Sequence, residues 1–394
     1  MYLTEFSISG LAGSEKVYSQ KLNKDVNVFF GLNGSGKTSL LKILHSAMTN
    51  DVDILKNVPF KSAEVKLYSI DSNQVFRRAI KQVDESNRQG DAFKDIFLDD
   101  ILDDIPLDEL PENAVKKFFE NVRSNDLAWK TEPKTPKFKG LRHKYLPTSR
   151  LYLGGKSWRS LKQLSEEQLD LFFARSLQEL WTHYSANTLR VIRKAQEEGI
   201  ANILKAMLST KKPNKKVAPK IDPKTAYKRV TAFLKRQEGA IANILGEPKA
   251  FEKRYLAEPH IQSVISDINE IEQEIEQAMK PRQKLEQLIQ NLLSGNKEVQ
   301  FKDRTIDVKT HDGTNIGLHS LSSGEKQLIL ILLETFLAGE SSILIDEPEI
   351  SMHIDWQQQL ISAMTQLNSS AQIILATHSP EIMADVDDNR IFRL

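Results

Sequence analysis

Val26-Asn-Val-Phe-Phe30-Gly31-Leu-Asn-Gly34-Ser-Gly36-Lys37-Thr38 runs from an apolar strand straight into a glycine-rich turn. Beyond it, Leu40, Leu41, Ile43, Leu44 and Ala47 recur at helical spacing. Strand, loop and helix in that order place backbone N–H groups around an anion at a helix N-terminus. Asn33, Gly34, Ser35, Gly36, Lys37, Thr38 and Ser39 are therefore the candidate phosphate-binding residues. Lys37 is placed to reach the β- and γ-phosphates, and Thr38 to supply an oxygen to Mg²⁺.

Outward from this stretch, residues 2–8 read as a strand, and 63–70 with 74–80 as a hairpin across Asp71-Ser-Asn73. Residues 146–153 read as a return to the core sheet. Past residue 296, strands are expected at 299–302, 305–308, 317–318, 343–345 and 373–376, with helices near Glu325 and from Trp356 to Leu367. The fold class is α/β, with mixed sheets and helices.

A helical segment interrupts this alternation. Residues 165–208, 225–245 and 258–293 carry helical patterns. In the last of these, Ile261, Val264, Ile268, Ile271, Ile275, Ala278, Leu285, Ile289 and Leu292 alternate in threes and fours, and Arg282 occupies the seam just after Pro281. That is a coiled-coil pattern with a kink. Its mate is either the helices of 165–208 or a second protomer. The expected division is 1–160 and 296–394 as one domain, with 161–295 as a helical insertion.

Composition narrows the chemistry. The 394 residues hold 54 Lys plus Arg against 53 Asp plus Glu, a net charge of +1, so no global basic field marks a nucleic-acid partner. Locally the charge is uneven. Residues 91–112 carry nine acids and one Lys, which reads as a solvated face or a docking surface for a basic partner. Residues 211–229 carry eight Lys or Arg and one acid, a solvated helical tip or a DNA-binding one. With no Cys there is no disulfide, thiol nucleophile, cysteine zinc site or iron–sulfur cluster held by this chain. No leader pattern opens the sequence and no apolar run reaches the roughly 20 residues of a membrane span, so a cytoplasmic location without membrane is expected.

Three further motifs carry chemistry. Ile343-Leu-Ile-Asp346-Glu347 is a buried-strand run ending in two acids that point in different directions, which suits Asp346 to Mg²⁺ and Glu347 to an attacking water. Ser322-Ser323-Gly324 at a helix start suits either phosphate oxygens or a plain N-cap. His378, in Ala376-Thr-His-Ser-Pro380, ends a strand at the carboxyl edge where such sheets place ligands, and is read as touching the γ-phosphate or the attacking water.

Taken in order, the phosphate loop at 31–38, a signature-like motif at 321–327, the acids at 343–347, Glu349-Ile-Ser-Met-His-Ile-Asp355 and His378 resemble the ABC-type ATPase superfamily. The likeness is to the branch that includes chromosome-maintenance, recombination and overcoming-lysogenisation-defect proteins and many phage-defence ATPases, and covers about residues 1–80 and 296–394. It implies an ABC-type P-loop head interrupted by the coiled-coil insertion, with ATP and Mg²⁺ as cofactors. It implies Glu347, His378 and Lys37 as catalytic residues, and Thr38 and Asp346 as metal ligands. It also implies a homodimer or higher homo-oligomer through the heads, with ATP between Lys37 of one subunit and Ser322, Ser323 and Gly324 of the other. Ser323 stands where the family usually has Gly. The related overcoming-lysogenisation-defect proteins carry a toprim nuclease, and the residues up to Leu394 leave no room for one here. The expected function is thus an antiviral sensor or scaffold controlling a separately encoded effector, a toprim or other nuclease, with a phage protein as trigger. The alternative is a DNA-repair or recombination ATPase. A transporter subunit is disfavoured, because about 280 residues separate the phosphate loop from the signature.

Overall fold

The computed structural model describes residues 1–70, 72–82, 128–133, 143–148, 165–208, 221–236, 245–293 and 297–394. The acidic stretch 91–112, residues 149–153 of the expected core strand and residues 211–220 of the basic stretch lie outside them.

The first elements are β1 (Tyr2–Ser9), β2 (Val17–Lys21), β3 (Val26–Phe30), α1 (Lys37–Thr49), β4 (Ser62–Ser69), β5 (Gln74–Lys81), β6 (Lys130–Glu132) and β7 (His143–Leu146). Among the described residues four helices follow, α2 (Glu166–Leu208), α3 (Pro223–Arg236), α4 (Pro248–Ala257) and α5 (Pro259–Leu292). The chain continues with β8 (Lys297–Phe301), β9 (Ile306–Thr310), β10 (Asn315–Ile316), α6 (Ser323–Leu337), β11 (Ser342–Asp346), α7 (Ile354–Leu367), β12 (Gln372–Thr377) and β13 (Ile391–Arg393). The strand expected at 317–318 is instead a 3₁₀ turn, Leu318–Ser320, just after the short β10. Among the described residues no helix is long and apolar enough to cross a membrane.

Two compact units result: Met1–Phe173 with Ser320–Leu394, and Ala174–His319. The sequence reading returns to the first unit near residue 296, whereas the sheet β10-β9-β8 groups with the helices.

The described residues of the first unit form two five-stranded sheets. One is antiparallel, in the order β2-β1-β4-β5-β6; the other is parallel, in the order β13-β3-β12-β11-β7. A helix that is apolar on nearly every side must be buried on nearly every side. Accordingly Leu40, Leu41, Ile43, Leu44, Ala47 and Met48 of α1 are fully buried, in one core with Phe6 and Ile8 of β1, Val65 and Leu67 of β4, and Leu344 and Ile374 of the parallel sheet. The central strands β3, β11 and β12 read as continuous apolar runs because both of their faces are covered. Gln372 fastens the two sheets. Its Oε1 accepts from the Leu3 backbone N–H and the Ser342 hydroxyl, both at 2.9 Å, and its Nε2 donates to the Leu3 and Asn23 carbonyls at 2.7 and 2.8 Å.

In the second unit the seam of α5 is covered by the same chain. Ile265, Ile268, Ile271 and Ile275 form one core with Ala226, Val230 and Phe233 of α3 and Phe251 and Tyr255 of α4, and Ile192 and Ile203 of α2 pack on it. α5 runs through Pro281 as one helix. Arg282, the residue that breaks its apolar pattern, lies 5.7 Å from the Trp181 ring centroid and pairs with Asp303 at 2.9 Å. The guanidinium is thus set over an indole and held by a carboxylate, so its charge is partnered where the apolar pattern breaks.

Candidate functional site

All five strands of the second sheet are parallel, so their carboxyl ends share one edge, where doubly wound sheets place ligands. The register sets Asp346 beside Ala376 and Thr377 beside Phe30. The phosphate loop after β3, the acids ending β11, His378 after β12 and Thr148 after β7 therefore lie along that edge. A cleft of about 460 Å³ there is lined by Asn33, Gly34, Gly36, Lys37, Thr38 and Ser39 from the loop and α1, by Glu347 and His378, and by Ala12 and Pro59.

The loop has the curl that its glycines allow. Gly36, the residue before α1, sits at φ 98°, a backbone conformation that side chains disfavour. The Lys37 side chain folds under the loop. Its Nζ donates to the Gly31 carbonyl at 2.7 Å and the Leu32 carbonyl at 3.0 Å, leaving one ammonium proton for a ligand oxygen. Ser35 Oγ is buried with no partner among the described residues.

Asp346 is buried. Its Oδ2 accepts from the Thr38 hydroxyl at 2.8 Å and the Thr148 hydroxyl at 2.7 Å, while its Oδ1 is buried with no partner among the described residues. Burial pushes this carboxyl above the usual range, against the pull of Thr148, Thr38 and Lys37. An all-oxygen set of one carboxylate with a spare oxygen and a threonine hydroxyl beside a phosphate cradle fits a small hard cation, which keeps few protein ligands and completes its shell from phosphate and water. Lys37, the glycine curl and the buried Ser35 hydroxyl fit a polyphosphate.

Glu347 takes φ 47°, rare for a side-chain-bearing residue, and its N–H donates to the Ala376 carbonyl at 2.8 Å. Extended backbone at Asp346 followed by this turn separates the two acids, as expected from a strand end. Burial first, and then the charge of Asp346, push the Glu347 carboxyl upward, while His378 pulls it down. His378 Nδ1 lies 3.8 Å from Glu347 Oε1 and 3.1 Å from Glu349 Oε1.

Ser322, Ser323 and Gly324 begin α6 but do not line this cleft. Ser322 caps the helix reciprocally with Glu325, so the capping role is real here. A Cβ at Gly324 would collide with the Ser351 backbone carbonyl, and Gln327 Nε2 donates to the Pro348 carbonyl at 3.1 Å. Both contacts tie α6 to the segment after Glu347.

Two residues at the site were not singled out by sequence reasoning. Thr148 lies in a stretch read only as a strand; the available signal was a hydroxyl directly after a core strand. Glu349 was read only as part of a loop motif; the available signal was a third acid two positions past Glu347.

Residues 26–384 match the family described as "AAA domain, putative AbiEii toxin, Type IV TA system". Over 93 residues the chain is 32% identical to the Retron Vc95 probable ATPase of Vibrio cholerae serotype O1 biovar El Tor, covering 20% of this chain and 18% of that one. Over 125 residues it is 26% identical to the Retron Ec83 probable ATPase of Escherichia coli, covering 28% and 23%. The match thus spans about a fifth of the length of these curated relatives. Among solved structures, the Smc head domain with an extended coiled coil bound to the C-terminal domain of ScpA, derived from Pyrococcus furiosus, is similar at TM-score 0.44 and 13% identity, over 100% of this chain and 93% of that one. The SMC head domain from Thermotoga maritima is similar at TM-score 0.39 and 12% identity, over 98% and 93%. With 26–384 matched, the chain belongs to the AAA-domain family so described.

Proposed function

We propose that this protein is a Mg²⁺-dependent ATPase of a phage-defence system, whose nucleotide state controls a separately encoded effector. The observation that carries the ATPase reading is the convergence of Lys37, Thr38, Asp346, Glu347 and His378 on one sheet edge, from three strands far apart in sequence. The relatives named as probable ATPases of retrons support the defence setting.

In this reading Asn33, Gly34, Ser35 and Gly36 wrap the phosphates with backbone N–H groups, Lys37 neutralises the β- and γ-oxygens, and Ser39 lies at the first turn of α1 where the helix N-terminus favours anions. Thr38 and Asp346 would hold Mg²⁺, which supplies charge neutralisation on the phosphates when bound. Glu347 accepts a proton from the attacking water; its raised proton affinity suits a base better than an ordinary surface carboxylate. Ser322, Ser323 and Gly324 lie off this cleft, which supports their serving the site of a second copy in a head-to-tail dimer. Exclusion of water at such a joint would strengthen each charge interaction on the transferring phosphoryl group. The effector is read as a toprim or other nuclease and the trigger as a phage protein, with a cytoplasmic setting.

The test is phosphate release by the purified chain with ATP and Mg²⁺. Lys37→Ala should lose nucleotide binding, and Glu347→Gln should bind ATP yet hydrolyse it at least ~100-fold more slowly. A pull-down with Glu347→Gln from the native host should enrich one effector in an ATP-dependent way. No ATP-dependent partner would sink the defence reading and leave the ATPase reading standing. Salt-sensitive duplex binding lost on neutralising the lysines of 211–229 would favour the DNA-repair alternative.

A further inference from the structure

Thr148 follows β7, at the edge of the parallel sheet, and Leu146 of that strand is level with Ile345 of β11, so the chain leaves the sheet beside Asp346. The Thr148 hydroxyl donates to Asp346 Oδ2 at 2.7 Å, the same oxygen that takes the Thr38 hydroxyl at 2.8 Å. Asp346 is 1% exposed, and its Oδ1 is buried with no partner among the described residues. Thr38 lines the cleft and Thr148 does not. A buried acid with one oxygen served twice and the other unserved is poorly arranged for stability, because the unserved oxygen keeps its desolvation cost.

The two hydroxyl hydrogens decide what these groups can do. A threonine hydroxyl has a single hydrogen, and both are given to Oδ2. Beside the ionised carboxylate that a bound cation requires, Thr38 Oγ1 therefore meets the cleft with lone pairs alone. Such an oxygen rejects a phosphate oxygen and accepts a cation or a water hydrogen. Thr148 lies off the cleft, so its effect on a ligand passes through Asp346. One donor would leave the carboxylate free to turn about its Cβ–Cγ bond. Two donors, from α1 and from the end of β7, converge on Oδ2 and fix it, while Oδ1 keeps its full acceptor capacity.

We propose that Thr148 is the positioning residue of the cation site: by holding Asp346 Oδ2 jointly with Thr38, it keeps Oδ1 and the Thr38 lone pairs ready for the Mg²⁺ that accompanies the nucleotide. This rests on the ATPase reading and deepens it, adding to the two candidate metal ligands a third residue that sets their affinity. No bond forms or breaks at Thr148. Its work is to hold still a group that would otherwise have to be ordered each time the cation arrives. A residue hydrogen-bonded to a metal ligand, without touching the metal, commonly governs ~10–100-fold in metal affinity. Valine at this position keeps the branched shape but leaves Oδ2 with Thr38 alone, whereas serine keeps the hydroxyl and drops only a methyl group.

The test separates the metal from the nucleotide. Equilibrium binding of a fluorescent, non-hydrolysable ATP analogue to the purified full chain is measured in saturating Mg²⁺ and in EDTA, and the ratio of the two dissociation constants reports how strongly the site couples cation to nucleotide. Mg²⁺ should tighten binding by the wild type. In Thr148→Val that gain should shrink by ~10-fold or more, with the affinity in EDTA within about twofold of wild type. Thr148→Ser should restore the gain, and Thr148→Ala, which cannot crowd the site, should match Thr148→Val. A wild-type gain in Thr148→Val would overturn the proposal, as would an equal loss in Thr148→Ser and Thr148→Val. An affinity lowered in EDTA with the gain unchanged would overturn it too, since that marks a residue that serves only packing. No analogue bound by the wild type in either condition is a different result, which would overturn the ATPase reading and this proposal with it.

Discussion

Lys37 directs two of its three ammonium protons at carbonyls of its own loop, so it holds the curl as well as offering charge. Removing it should cost both loop shape and phosphate affinity, and arginine, with its planar fork, should not replace it. His45 behaves differently. Its Nδ1 lies 2.6 Å from His143 Nε2, and its ring stacks on Tyr145 with centroids 4.5 Å apart. Burial, and secondarily His143, push its pKa down to about 3. The unfolded chain therefore binds a proton at this residue that the folded chain does not, between the ordinary value near 6.5 and about 3. The sign follows: the contribution is fully present above pH ~6.5 and is lost as pH falls toward 3, with a slope of up to ~1.4 kcal/mol per pH unit. Denaturant midpoints measured across that window should fall more steeply for the wild type than for His45→Gln. Equal slopes would show that His45 protonates as freely in the folded chain.

At the scale of elements, Gln372 deserves comparison with the apolar runs around it. Four hydrogen bonds at one buried amide join β1, β11 and the Asn23 carbonyl to β12, and no apolar side chain could replace them. Gln372→Ala strands both backbone groups of Leu3 and should cost ~2–4 kcal/mol, whereas Gln372→Glu should cost at least as much by adding a buried charge. Urea unfolding of the two variants checks this, and a change below ~0.5 kcal/mol in both would contradict it. What was legible in the sequence divides along the same line. β3, the loop and α1 were readable because glycine placement and apolar spacing are local signals. β4 and β5 were readable because their alternation faces one covered side. The strands β2, β6 and β13 were not, being three to five residues long at sheet edges, with too few buried positions to leave a pattern. Thr148 and Glu349 were invisible for another reason. Their meaning comes from register, with β7 beside β11 and the Glu349 segment beside the end of β12, and no spacing along the chain reports that.

At the scale of the molecule, a sheet edge gathers the phosphate loop, two acids and the histidine, while the signature-like start of α6 belongs to the same unit but not to the same cleft. Under the proposed head-to-tail reading, a site divided in this way would take its other half from a second copy. Close packing of Gly324 on Ser351, and of Gln327 on the Pro348 carbonyl, links the α6 end to the segment that carries Glu349, and Glu349 holds His378. Gly324→Ala should therefore slow hydrolysis at saturating ATP, and an unchanged kcat would contradict this linkage. The near-zero net charge, read at first against charged partners, is an average over unlike segments and leaves the effector question to direct capture. The most direct test of the central claim is single-turnover hydrolysis of Mg²⁺-ATP by the wild type and Glu347→Gln, with bound nucleotide measured in the same samples. The account predicts equal occupancy with hydrolysis at least ~100-fold slower in the variant; equal rates in the two proteins, or no nucleotide bound by the wild type, would contradict it.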